Sequence, residues 1–141
     1  MKKQIVKELE NGITIIQQYY YDDTILNCEI IFENGKKVCV KKYHDNGKLS
    51  SETPYANNRA NGVRKCYNEN GDLYLEIPFF NNMKHGVIKT WYDNGVLASE
   101  EPYKNNKRNG ITRYYDENGK LIKEITYISD VEVERKVIKW K

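Results

Sequence analysis

The chain is 141 residues long, 39% hydrophobic, and carries a net charge of +3. That length holds one domain or an array of small repeats, and the low apolar content excludes a thick two-layer core. The balance of 23 Lys and Arg against 20 Asp and Glu lacks the concentrated basic excess of a dedicated nucleic-acid binder.

In chain order, residues 1–10 (MKKQIVKELE) read as a leading half-unit. Lys7, Glu8 and Glu10 interrupt any apolar run, so no export leader and no membrane span is expected, and a cytoplasmic location follows. Residues 11–127 then repeat, first with a step of 23 and later of 24. Gly12 precedes Gly35, Tyr20 precedes Tyr43, and Leu26 precedes Leu49 by the shorter step. At the longer step, Gly47, Gly71, Gly95 and Gly119 form one column, and Gly62, Gly86 and Gly110 another. Leu49, Leu73, Leu97 and Leu121 form a third, and Pro54, Pro78 and Pro102 a fourth. Aromatic columns run through Tyr43, Tyr67, Trp91 and Tyr115, and through Tyr55, Phe79, Tyr103 and Tyr127. Such self-similarity marks a repeat architecture of about five units.

Each unit reads as a β-hairpin. A first strand ends at the aromatic, as in Val63 to Tyr67. Asn68-Glu69-Asn70-Gly71 supplies residues that tolerate positive φ. A second strand follows, with Leu73, Leu75, Ile77 and Phe79 alternating onto one face. Pro54, Pro78 and Pro102 are expected at the outer strand end, where pairing stops. The asparagine pairs 57/58, 81/82 and 105/106 are expected to hold tight turns, with one Asn of each pair left-handed. Residues 128–141 read as a capping strand. The single domain expected over residues 1–141 is all-β: one elongated, single-layer antiparallel sheet of ten or eleven strands, about 50 Å long at ~4.8 Å per strand.

The chemistry-bearing residues point away from catalysis. His44 and His85 fall in connections, do not recur in their columns, and are expected to be solvated. Cys28, Cys39 and Cys66 are odd in number and lack CxxC spacing, so reduced strand thiols are expected and neither a disulfide framework nor a metal site. No cofactor motif occurs. Glu29, Glu52, Glu76, Glu100 and Glu124 form an acidic column, and Lys41, Lys65, Lys89 and Arg113 a basic one. Side by side they would make a cross-strand ion ladder. Whether the basic column shares a face with Tyr67 and Leu73 depends on the register.

The phrase from Gly86 to Tyr103, with Trp91, Asn94-Gly95, Leu97 and Glu100, resembles the MORN-repeat family, and more closely its bacterial variant branch of YwqK-like antitoxins. One departure is visible: Asn-Gly is kept at Asn34-Gly35 but becomes Asn-Asn in three later units. The resemblance implies a binding array: a scaffold, a protein-docking surface of antitoxin or inhibitor type, or an anionic-lipid binder. Lys65, Tyr67, Lys89, Trp91, Arg113 and Tyr115 would line the contact surface. Tyr74, Tyr92 and Tyr114, with Tyr19 and Tyr21, exceed what the columns require and suit a contact patch. A protein partner is expected first and anionic lipid second; nucleic acid is disfavoured by the charge balance.

Overall fold

The computed structural model describes residues 3–20 and 24–140. One antiparallel sheet contains every strand among the described residues. The first three strands are β1 (Gln4–Glu8), β2 (Ile13–Tyr19) and β3 (Leu26–Glu33). Next come β4 (Lys36–Tyr43), β5 (Leu49–Ala56), the two-residue β6 (Arg59–Ala60) and β7 (Gly62–Tyr67). The same cycle repeats in β8 (Leu73–Phe80), β9 (Met83–Lys84) and β10 (Gly86–Trp91), and again in β11 (Leu97–Lys104), β12 (Lys107–Arg108) and β13 (Gly110–Tyr115). Finally β14 (Leu121–Ile128) turns into β15 (Val131–Val137). Every strand of the main path pairs with its neighbour along the chain, so the sheet grows by hairpins alone. The fold class expected from the repeat is therefore the one observed.

The strand number departs from expectation. The path holds twelve strands, and β6, β9 and β12 pair beside it. These short strands arise because a first strand is broken near its start. In the second repeat of the 24-residue series, Phe79 and Phe80 pair with Lys84 and Met83 around a two-residue turn. Asn81 and Asn82 form that turn with φ of 48° and 69°. Both residues are left-handed, as are Asn57/Asn58 and Asn105/Asn106. This corrects the expectation of one: a two-residue turn that matches strand twist requires positive φ at both central positions.

The prolines also lie elsewhere than expected. Pro54 is inside β5, Pro78 inside β8 and Pro102 inside β11. Each sits where the ladder to the next unit is interrupted, so its missing N–H is not needed there. Its carbonyl accepts from the residue before the glycine: Asn61, His85 and Asn109 donate to Pro54, Pro78 and Pro102 at 3.0, 3.0 and 2.9 Å. The following Gly62, Gly86 and Gly110 have φ near +120°. A Cβ at Gly86 would meet Pro78 Cγ at 2.9 Å, and one at Gly62 would meet Pro54 Cγ at 2.6 Å. The glycine and proline columns are thus one contact.

A single sheet has two faces and no second layer. Lys65 pairs with Glu76 on one face, here the ladder face, while Arg64, Cys66, Leu75 and Ile77 point to the reverse face. Burial is concentrated on the reverse face, at Thr53, Cys66, Ile88, Ser99, Thr112 and Ile125. Thr112 is the most enclosed, and its hydroxyl has no hydrogen-bond partner. Ile88 holds the same column one unit earlier.

Two stability outcomes follow. Gly86→Ala should cost about 2 kcal/mol, through positive φ and the close proline. Gly95→Ala, at φ 84° with nothing within 4 Å of its Cβ, should cost roughly 1 kcal/mol. Equal losses in urea unfolding would remove the proline contact from the explanation. Thr112→Val should stabilise by about 1 kcal/mol by deleting the orphan hydroxyl, read as a higher urea midpoint at unchanged m-value.

Candidate functional site

The register resolves the charge columns. Gln17 opposes Glu29, Glu29 opposes Lys41, Lys41 opposes Glu52, and Glu52 opposes Lys65. The row continues through Glu76, Lys89, Glu100, Arg113 and Glu124 to Lys136. Each carboxylate from Glu52 to Glu124 is flanked by a cation on both sides. The two columns form one row of alternating sign on one face, but the expected ion ladder is closed only in part: among the described residues Arg113–Glu124 is the one cross-strand pair of the row at ion-pair distance. Arg113 Nε lies 3.3 Å from Glu124 Oε2, and Gln17 Nε2 donates to Glu29 Oε2 at 2.8 Å.

Tyr43, Tyr67, Trp91 and Tyr115 stand two residues past the cations, on the same face. Tyr115 Oη donates to Glu100 Oε1 at 2.7 Å, and Tyr43 Oη donates to Glu29 Oε1. Both phenols are therefore harder to ionise: Tyr115 chiefly because of the Glu100 bond, Tyr43 chiefly because of burial and then the Glu29 bond. Tyr67 opposes Leu73, so the basic column does share a face with Tyr67 and Leu73. Opposite Cys66 and Tyr67 the partner strand carries one extra residue, Tyr74, as the following units carry Ala98 and Ile122, so Leu73 departs from the expected common face with Leu75 and Ile77.

On the other side of the charge row runs an apolar stripe. Val63 opposes Pro78, Val87 opposes Pro102, and Ile111 opposes Thr126. Val63, Val87 and Ile111 are 39%, 41% and 38% exposed. The ladder face thus carries three parallel stripes: exposed apolar, charged and aromatic. The stripe at 63, 87 and 111 was missed in the sequence, although its apolar column beside the glycines was the available signal.

Of the expected contact residues, the fold brings together Lys65, Tyr67, Lys89, Trp91, Arg113 and Tyr115, whereas Tyr74 is the extra residue of a bulge and lines a hollow with Ser51 and Cys66. Tyr114 is on the reverse face, where it opposes Ser99 and its hydroxyl reaches Glu101 Oε1 at 3.3 Å. It leaves the patch because adjacent strand residues point to opposite faces. Tyr92 is engaged between units, donating from its hydroxyl to Tyr115 O at 2.6 Å. Tyr19 reaches Gln17 on the ladder face, and Tyr21 lies outside the described residues.

His44 is not a solvated loop side chain. Its Nε2 donates to Tyr67 O at 2.8 Å, as Tyr20 Oη donates to Tyr43 O at 3.0 Å. The structure aligns Tyr20 with His44 and Tyr92, not with Tyr43 as the 23-residue step suggests, because Tyr19 opposes Leu26 as Tyr43 opposes Leu49; each of the three bonds to the backbone 23 residues ahead. His85 is exposed, with its ring 6.2 Å from that of Phe80. Cys28, Cys39 and Cys66 are free strand residues, and burial pushes all three thiols up, away from the reactive thiolate. Among the described residues no group of three His, Cys, Asp or Glu could hold a metal ion.

The asparagine pairs have a further role. Ala60 N–H donates to Asn82 Oδ1 at 2.7 Å, and Asn82 N–H returns a bond to Ala60 O at 2.9 Å. Lys84 and Asn106 repeat this at 2.8 and 2.9 Å, as do Arg108 and Asp130. A glycine at the second turn position could not supply the side-chain acceptor, which accounts for Asn82 and Asn106 where the family pattern has Gly.

These features define a β-hairpin repeat protein whose units are bonded end to end and whose faces are open. A family model described as MORN repeat variant matches residues 38–57, 60–82, 84–105 and 108–129. The matches cover more than half of the chain, which belongs to the MORN repeat variant family. The hairpins before residue 38 lie outside the match, yet Gln17 and Glu29 continue the same charge row. MORN repeats generally serve as protein- or membrane-binding repeats. No curated protein matches the chain.

Asp130 provides a test of the inter-unit bonds. Its carboxyl is held below the ordinary carboxylate range, first by the Arg108 backbone N–H. A lowered folded value means its contribution is complete above about pH 4 and is lost as pH falls through the lowered value. Asp130→Asn keeps the acceptor, as Asn106 does, so it should change the thermal midpoint little at pH 7. Below pH 4 the variant should lose less stability than the wild type; superimposable acid limbs would show that Asp130 contributes nothing there.

Proposed function

We propose that the chain is a non-enzymatic, cytoplasmic protein-binding module whose ladder face covers a functional surface of a partner, in the manner of an antitoxin-like or inhibitor protein. The observation that carries this reading is the exposed Val63, Val87 and Ile111 stripe beside a charge row of alternating sign. An apolar stripe edged by polar groups and large aromatics suits a protein interface. Tyr67, Trp91 and Tyr115 add contact area at low entropic cost.

The alternating row argues against the anionic-lipid reading of the same residues. Lys65 lies between Glu52 and Glu76, and Lys89 between Glu76 and Glu100. Neighbouring strands are ~4.8 Å apart, well inside a Debye length of about 8 Å. At the distance of a membrane surface the row's opposite charges largely cancel.

The test is affinity capture from source-cell lysate by the wild type and by a Val63→Ser/Val87→Ser/Ile111→Ser variant with an unchanged circular dichroism spectrum. A stoichiometric protein held by the wild type and lost by the variant is the expected result. Equal capture by both would move the interface off this face. Flotation with phosphatidylserine vesicles, abolished by Lys65→Ala/Lys89→Ala/Arg113→Ala, would replace the reading with the lipid one.

A further inference from the structure

The reverse face has the opposite electrostatic character. The second aromatic column lies there, and each of its rings from unit to unit carries a cation. Lys37 Nζ is 4.4 Å from the Tyr55 ring centre, and the Arg64 guanidinium is 4.7 Å from that of Phe79. Lys84 Nζ lies 5.5 Å from Tyr103, and the Arg108 guanidinium 4.2 Å from Tyr127. Successive members are two strands apart, roughly 9.6 Å at ~4.8 Å per strand.

Further cations share the face. Lys42 opposes Ser51, Lys123 opposes Tyr114 with its Nζ 4.5 Å from that ring, and Arg135 opposes Ile125. Against these, from β4 onward, stand Glu101 and Glu132, with Asp130 at the adjoining turn. Asp130 is bonded to Arg108, and Glu132 to Arg135 at 2.6 Å. Lys37, Lys42, Arg64, Lys84 and Lys123 have no carboxylate within ion-pair distance among the described residues. On the ladder face Lys41, Lys65, Lys89 and Arg113 each stand between two carboxylates of neighbouring strands, whereas on the reverse face from β4 onward the cations outnumber the carboxylates.

We propose that the reverse face is a second binding surface, for an acidic polypeptide segment. This rests on charge complementarity and is independent of the ladder-face reading. A guanidinium held over a ring face can still offer N–H groups to a carboxylate, and ordering it beforehand reduces what binding must freeze. Arg64 is also anchored, its Nε donating to Thr53 Oγ1 at 2.8 Å. Single-stranded nucleic acid fits less well, because bases need free ring faces to stack on and these rings are covered by cations. A membrane fits less well too, because Val63, Val87 and Ile111 are exposed on the other face.

The experiment is fluorescence anisotropy of the full chain with a labelled oligoglutamate peptide, beside oligo(dT) and phosphatidylserine vesicles as competing probes. Oligoglutamate should bind most tightly, and added salt should weaken it. The folded variant Arg64→Gln/Lys84→Gln/Lys123→Gln should bind about tenfold or more weakly, while Lys65→Gln/Lys89→Gln should bind as the wild type does. Carbodiimide cross-linking of the peptide to the wild type reads the same surface without a variant, and should map to Lys37, Lys84 and Lys123. No binding, equal weakening by the ladder variant, cross-links confined to Lys65 and Lys89, or tighter binding of oligo(dT) or vesicles would each overturn the proposal.

Discussion

Gly62, Gly86 and Gly110 lie against Pro54, Pro78 and Pro102, and the passage from one hairpin to the next runs through that contact. A sheet that grows only by hairpins must let each new strand leave its tight turn and settle beside the preceding unit. The glycine at φ near +120° makes that change of course, and its missing Cβ makes room for the proline ring. The proline in turn occupies a site where the ladder is already interrupted, so its missing N–H costs no inter-strand bond. Neither residue type would serve alone. Gly in a regular strand would weaken it, and Pro in a continuous ladder would break it.

Around this joint the units are fastened at both ends. On one side Asn82, Asn106 and Asp130 exchange paired bonds with the chain 22 residues earlier. On the other, Tyr20, His44 and Tyr92 reach a carbonyl 23 residues later, and Asn46 and Asn94 reach Glu69 O and Glu117 O at 2.9 and 3.0 Å. With no second layer to bury apolar area, such bonds and the charge row supply specificity that a core would otherwise give. Each is worth about 1 kcal/mol, and their repetition fixes the stacking of units more than any one of them does.

The repeat, the strands and the turns were legible because each leaves a column in the sequence: Gly71 with its equivalents, Leu73 with its equivalents, Tyr67 with its equivalents. The register was not, because it depends on one extra residue, Tyr74, placed between Leu73 and Leu75 against Cys66 and Tyr67. A bulge has no fixed composition, and a shift of one residue would have moved the whole basic column to the other face. His44 was misread for a different reason. Its column contains Tyr20, His44, Asn68, Tyr92 and Asp116, residues alike only in being able to hydrogen-bond. Asn68 and Asp116 close their own turns, accepting from Asn70 and Asn118, whereas the longer side chains reach the next unit. Function is shared along that column while residue identity is not, so no identity-based comparison reveals it.

The alternation of side chains across a strand also limits what net charge says about partners. A sum of +3 over the chain suggests a surface indifferent to anions. A single-layer sheet, however, sorts side chains by odd and even position, and the sum mixes two unlike surfaces. On the ladder face Lys65, Lys89 and Arg113 alternate with Glu76, Glu100 and Glu124, leaving little field beyond the nearest strands. On the reverse face Arg64 lies among Thr53, Cys66 and Ile77, and Lys123 beside Tyr114, with no carboxylate of the described residues at ion-pair distance from either. In a two-layer protein one of these faces would be buried and only the other would matter for binding. Here both are available, so the charge that decides a partner is the charge of one face at a time.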